Sequence, residues 1–268
     1  MYSPLQSLYV KGHAGDPLPK VWDSLEQKGT RFLRGQLCLV CAGPGTGKSA
    51  FVLTYALKAR VPTLFISADS DAFTQLSRSV SILTGRPMDR SSREVREERL
   101  DDEAKQALAD IPIRFTYHAS PTLDQIEQTM MSYDEVYGDF PSLVVIDNVT
   151  NVRSGGGDDD PFSGLESLMD YLHDMARSTA ACVVGLHHVT GGYNDASKPI
   201  PLSGVKGQIT RVPELVLTLH RVQETFASDS LRVSTVKNRG GKADPSGIDY
   251  TSLEFVGDTM QIRDFPKA

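Results

Sequence analysis

The chain has 268 residues, 23% of them charged and 40% apolar, and carries a net charge of −6. That length suffices for one large α/β domain with a proper core. The acidic balance argues against a broadly basic surface that coats nucleic acid, but it leaves room for a strand held in a local basic channel. No long apolar run and no N-terminal signal pattern is present, which predicts a cytoplasmic protein with no membrane partner. The three cysteines give no disulfide framework. Cys38 and Cys41 stand three apart in one predicted strand and so point to opposite faces. They read as buried thiols rather than metal ligands.

In chain order, Gln36 to Cys41 is an apolar run suited to a buried strand, and Ala50 to Leu57 suits a helix. Between them stands Ala42-Gly43-Pro44-Gly45-Thr46-Gly47-Lys48-Ser49. This is the phosphate-binding pattern G-x-x-x-x-G-K-[ST] with Ala in its first place. Glycines let successive N–H groups curl toward phosphate oxygens. Lys48 reaches the β and γ phosphates as a mobile point charge. The Ser49 hydroxyl is a Mg²⁺ ligand, and the helix start adds its positive end. Strand, loop and helix stand in the required order, which separates this match from a chance glycine-rich turn.

Thr63 to Ser67 predicts a second strand. A helix follows with Phe73, Leu76, Val80 and Leu83 on one side, ended by Gly85 and Pro87. Arg90 to Asp110 mixes both charge signs and reads as a solvated helical excursion. Ile113 to Tyr117 predicts a strand, and Ser120-Pro121 opens a helix carrying Leu123, Ile126 and Met130 inward. Leu143-Val144-Val145-Ile146-Asp147 is four β-formers ending in a carboxylate. About a hundred residues downstream of a phosphate loop, such an acid holds Mg²⁺ directly or through water. The two signals together predict ATP–Mg²⁺ binding.

Asn151 to Asp160 predicts a mobile loop. Ser163 and Glu166 predict a capping box for a helix with Leu165, Leu168, Met169, Leu172 and Met175 inward. Ala181 to Leu186 is the next buried strand and ends in His187-His188. A polar segment from Thr190 to Arg211, rich in Gly, Pro and Lys, follows. Leu215 to Leu219, Leu231 to Val236 and Leu253 to Ile262 predict late strands, the last broken by a Gly257-Asp258 turn. The expected fold class is α/β, a mostly parallel central sheet with helices on both faces and an antiparallel C-terminal extension.

This order of motifs resembles the RecA-like ATPase core of DnaB-type replicative helicases and their phage and plasmid relatives. The resemblance runs from about Leu18 to Asp264 and includes Arg34-Gly35-Gln36 before the first strand. It implies one RecA-like domain over residues 18–268, with residues 1–17 a lead or subunit-contact arm. Phe65-Ile66-Ser67-Ala68-Asp69-Ser70 stands where the family has a strand ending in a catalytic Glu. Here the candidate is Asp69, one methylene shorter, with Asp71 as the alternative. His188 stands where relatives place a γ-phosphate sensor; a buried core histidine is the alternative, and His187 reads as structural. Val236-Lys237-Asn238-Arg239-Gly240 resembles the family's Lys-x-Arg, whose cations reach the neighbouring subunit's γ-phosphate. The alternative is a basic turn facing water.

The resemblance also implies that segments 148–161 and 190–211 line the channel of a ring. Arg153, Lys198, Lys206 and Arg211 would then contact single-stranded DNA. Asp158, Asp159 and Asp160 are unusual there, and either project away or weaken binding. Only a short lead precedes the core, so no family collar domain and no primase coupling is expected. The implied assembly is a homo-oligomer, a hexameric ring. Three functions compete: a ring-forming helicase on single-stranded DNA; a recombination or repair ATPase on branched DNA, with Asp69, Asp71 and Asp147 serving a nuclease metal; and a nucleotide-gated DNA-binding module.

Overall fold

The computed structural model describes residues 1–153, 161–223 and 228–266, without the side chains of residues 161–163 and 208. The elements run α1 (Pro4–Val10), α2 (Asp23–Gln27), β1 (Leu37–Cys41), α3 (Lys48–Ala59), β2 (Thr63–Ser67) and α4 (Ala72–Thr84). Next come α5 (Met88–Arg96), α6 (Asp102–Ala109), β3 (Ile113–Thr116), α7 (Leu123–Tyr137), β4 (Leu143–Asp147) and α8 (Pro161–Thr179). The chain then forms β5 (Cys182–His187), β6 (Leu215–Val222), β7 (Asp229–Asn238), β8 (Tyr250–Val256) and β9 (Gln261–Asp264).

The described strands form one sheet in the order β3-β2-β4-β5-β1-β6-β7-β8-β9. It is parallel from β3 through β6. From β6 to β9 it is antiparallel. This is the expected α/β architecture with its antiparallel extension. The continuous apolar runs of β1, β2 and β4 are buried at every position, as strands covered on both faces must be. One face packs Cys38 and Val40 with Phe51, Leu53 and Leu57 of α3. The other packs Leu37, Leu39 and Cys41 with Leu168, Met169 and Leu172 of α8 and Ile126 and Met130 of α7. The two cysteines of β1 thus enter opposite cores, as strand alternation requires.

Four details differ from the sequence expectation. The buried residues of α4 include Gln75, Ser77, Ser79, Val80, Ser81 and Ile82, while Phe73 is exposed. Ser79 and Ser81 can turn inward because Ser79 donates to the Gln75 carbonyl (2.8 Å) and Ser81 to that of Arg86 (2.7 Å). Second, α7 is capped by a Thr122–Gln125 capping box rather than by Ser120. Third, α8 begins at Pro161, so Ser163 lies inside the helix and is not its N-cap. Fourth, segment 190–211 is packed: Ala196, Ile200, Val205 and Ile209 are buried, and Val189 bridges to Val205. The glycines at 155–157 and the acids Asp158, Asp159 and Asp160 lie outside the described residues.

The charged stretch folds as helices α5 and α6 around Arg86, which is buried and bonds Glu94 (3.0 Å), Asp101 (2.7 Å) and Glu103. Residues 22–24 and 262–264 meet on one core. Trp22 stacks on Phe51 at 4.6 Å and its indole N–H donates to the Ile262 carbonyl (3.1 Å). The Asp264 carboxylate accepts from the backbone N–H groups of Asp23 (2.7 Å) and Ser24 (3.2 Å), the first of α2. By contrast, α1 buries none of its residues and leaves Leu5, Leu8 and Tyr9 exposed.

Candidate functional site

The exits of β1, β2, β4 and β5 lie side by side, where ligands of open parallel sheets bind. The phosphate loop leaves β1 and turns into α3. Gly47, the N-cap of α3, has φ 109°, a left-handed value that disfavours any side chain. Gly43 is required for another reason: a Cβ there would stand 2.2 Å from the Asn194 carbonyl oxygen. Thr46 closes the loop by donating to the Gly43 carbonyl (2.9 Å). The backbone N–H groups of Ala68 and Asp69 both donate to the Asp147 carbonyl (2.7 and 3.0 Å), tying the exits of β2 and β4 together.

Here opens a cleft of about 440 Å³ lined by Pro44, Gly45, Gly47, Lys48, Ser49, Asp69, Arg78 and His188, among others. Burial holds the Lys48 amine below its usual pKa, opposed by the nearby Asp147, Cys41 and Asp69. Burial pushes the Asp147 carboxyl up, opposed by Ser49 and Lys48. Asp147 is 1% exposed, and neither carboxylate oxygen has a hydrogen bond of good geometry. An orphaned buried carboxylate beside a lysine and a serine hydroxyl fits a divalent cation carried by a polyphosphate. Among the described residues no group of three or more His, Cys, Asp and Glu side chains could hold a metal by itself.

Asp69 is exposed on the cleft, whereas Asp71 accepts from the Thr74 N–H (2.8 Å) as the N-cap of α4. The structure therefore brings Asp69, not Asp71, to the cleft. His188 lines the cleft and contacts Asn148, with Nε2 2.9 Å from Asn148 Nδ2. Burial, and then Lys48, hold its pKa down. His187 is buried, bonds the Lys206 carbonyl at 2.8 Å, and is lowered by burial to about 4.

Lys237 and Arg239 are not in this cleft. Lys237 is paired with Val216, and Val216 with Leu39 in the middle of β1, while the Arg239 N–H donates to the Glu214 carbonyl, and the Glu214 N–H to that of Leu37 at the entry of β1; the phosphate loop leaves the other end. Lys237 donates to the carbonyls of Thr210 (2.6 Å) and Arg211 (2.7 Å). Arg239 donates to that of Arg211 (2.9 Å) and lies 3.6 Å from Glu214. Arg153, Lys198, Lys206 and Arg211 are all exposed. Lys198 lies over Tyr193 at 5.1 Å, Lys206 donates its N–H to the His188 carbonyl (3.2 Å), and Arg211 faces Glu166 at 3.6 Å. Arg153 sits apart from these, bridged to Thr122.

Sequence reasoning missed Arg78, Asn148, Arg221 and Phe255. Arg78 reaches the cleft from α4 and donates to Ser70 (3.2 Å). Arg221 lies over Phe255 at 4.5 Å and pairs with Asp229. Only α4's helical spacing from Asp71 could have pointed to Arg78; the other three come together through sheet register.

These features define a RecA-like P-loop ATPase fold. The chain belongs to the family described as AAA domain, whose model matches residues 24–192. It is 68% identical over 266 residues to the Gene 65 protein of Mycobacterium phage L5, covering 99% of each chain. It is also 68% identical over 230 residues to the Gene 65 protein of Mycobacterium phage D29, covering 85% of this chain and 99% of that one. A DnaB-like replicative helicase, solved in a study of its interactions with primase, is similar in structure. The TM-score is 0.80 at 16% identity, over 98% of this chain and 66% of that one. At that identity the likeness is one of fold. Among the described residues no helix is long and apolar enough to cross a membrane.

Proposed function

We propose that the protein is an ATP-hydrolysing motor acting on DNA, a ring-forming helicase that translocates on a single strand. The observation that carries this reading is the convergence of Lys48, Ser49, Asp69 and His188 on one cleft beside the orphaned carboxylate of Asp147. Lys48 and the loop N–H groups would hold the β and γ phosphates, and Ser49 and Asp147 would hold Mg²⁺. Bound there, the cation supplies charge neutralisation across the phosphates. Asp69 orients water and accepts its proton. His188 reads the terminal phosphate.

The exposed cations Lys198, Lys206 and Arg211 on segment 190–211, with Arg153, would meet DNA phosphates. That segment touches the nucleotide cleft twice, at Asn194 against Gly43 and at Lys206 against His188, which supports coupling between DNA and hydrolysis. Lys237 and Arg239, which do not line their own cleft, suit action on a neighbour's nucleotide, and residues 18–268 form the motor domain. The exposed Leu5, Leu8 and Tyr9 of α1 suit a subunit-contact arm over residues 1–17.

The test is ATP turnover with and without single-stranded DNA, alongside Lys48→Ala and a strand-displacement assay. Lys48→Ala should abolish turnover, since it removes the cation that neutralises the β and γ phosphates. Normal turnover in that variant would overturn the site. DNA-stimulated turnover without strand displacement, with preference for junctions, would favour a repair ATPase instead.

A further inference from the structure

The side chain of Asn148, 3% exposed, stands between the strand that ends in Asp147 and the ring of His188. Its orientation is fixed by its own neighbours. The backbone N–H of Thr150 donates to Asn148 Oδ1 at 3.0 Å, and the Thr150 hydroxyl bonds the same atom. A backbone N–H is only ever a donor, so the atom it meets must be the amide oxygen. The NH₂ group is therefore the end that faces His188 Nε2, at 2.9 Å.

An amide NH₂ only donates, so Nε2 must accept, and an accepting ring nitrogen carries no proton. The neutral ring then holds its hydrogen on Nδ1. Among the described residues Nδ1 has no protein hydrogen bond, and the ring lines the cleft with Lys48, Ser49 and Asp69. We propose that Asn148 is a positioning residue that fixes His188 as the Nδ1–H tautomer, so that the histidine donates to a terminal phosphate in the cleft. The inference rests on the nucleotide reading of the cleft. A phosphate oxygen accepts hydrogen bonds, so the opposite tautomer would aim a lone pair at an anion. Asn148 thereby lets a neutral histidine tell a triphosphate from a diphosphate.

The first readout needs no nucleotide. With the six histidines labelled in nitrogen-15, and the His188 signals assigned by their loss in His188→Gln, the spectrum at neutral pH should show a protonated Nδ1 and a bare Nε2. A protonated Nε2 overturns the proposal. The second readout compares a non-hydrolysable ATP analogue with ADP. Asn148→Ala should weaken the analogue roughly ten- to hundredfold, the worth of a hydrogen bond to a charged group, and leave ADP unchanged. In the His188→Gln background, where the side chain has no tautomer to fix, the same substitution should cost much less. An equal loss for both nucleotides, or an equal loss in both backgrounds, would make Asn148 merely a prop for the Thr150 turn and overturn the proposal. Failure of the wild-type protein to bind either nucleotide would instead refute the nucleotide reading, with the tautomer result standing beside it.

Discussion

Gly43→Ala is the sharpest test of how the phosphate loop is built. The added methyl would stand 2.2 Å from the Asn194 oxygen and 2.8 Å from its carbonyl carbon. Ordinary contact begins near 3.4 Å, and both neighbours are backbone, so no side chain can swing aside. Loop and segment must part by roughly 1 Å. Overpacking of this kind costs about 1–3 kcal/mol. In a domain of this size each kcal/mol lowers Tm by about 2–4 °C, so a fall of several degrees is expected. The functional loss should be larger in proportion, because a misplacement of ~1 Å at reacting atoms can cost on the order of a hundredfold in rate. Gly191→Ala is the control: it lies on the same segment with nothing within 4 Å of the new methyl. Thermal melting, titration with an ATP analogue and steady-state turnover give the three readouts. A Gly43→Ala protein with unchanged Tm and unchanged nucleotide affinity would refute the packing of segment 190–211 against the loop.

Removing the charges of Lys198, Lys206 and Arg211 together should weaken single-strand binding and reduce its salt slope by about 0.7 for each phosphate left without its cation. Binding at several salt concentrations measures this, and an unchanged slope would place the DNA path elsewhere. Arg239→Ala should lose turnover, roughly 10³–10⁵-fold where a trans arginine has been dissected, while keeping nucleotide affinity. Mixed with the Lys48→Ala protein it should recover activity, and co-assembly without recovery at any ratio would count against action in trans. Stability should fall in mild acid. His220 is 1% exposed, and burial, with Arg232 beside it, lowers its pKa from the ordinary 6.5 to about 4. The unfolded chain then gains a proton below 6.5 that the fold refuses until about 4. This contribution is complete above that window and is lost across it, by up to ~1.4 kcal/mol per pH unit. Denaturant midpoints between pH 7.5 and 4.5 should show a gentler decline in His220→Phe than in the wild type.

The phosphate loop and Asp147 were legible in the sequence because their demands are local. A left-handed turn needs glycine, and a strand end needs one carboxylate. The sheet was legible for the same reason, since strands buried on both faces must be apolar throughout. What escaped notice depends on partners far away in sequence. Asn148 gains its role only because β4 and β5 lie side by side. Arg221 reaches the loop because β6 pairs with β1 and runs past Leu219 to Val222. The inward face of α4 was misjudged because serines can be buried once their hydroxyls find a carbonyl. Segment 190–211 read as a polar loop because its four buried apolar residues keep no helix or strand period.

One carbonyl, that of Arg211, accepts from both Lys237 and Arg239. It closes the segment that meets the phosphate loop at Asn194 and passes His188 at Lys206. Any movement of that segment would therefore reach the anchor of both cations at once. In a ring, the same backbone would carry a strand's movement through one channel wall to the nucleotide next door.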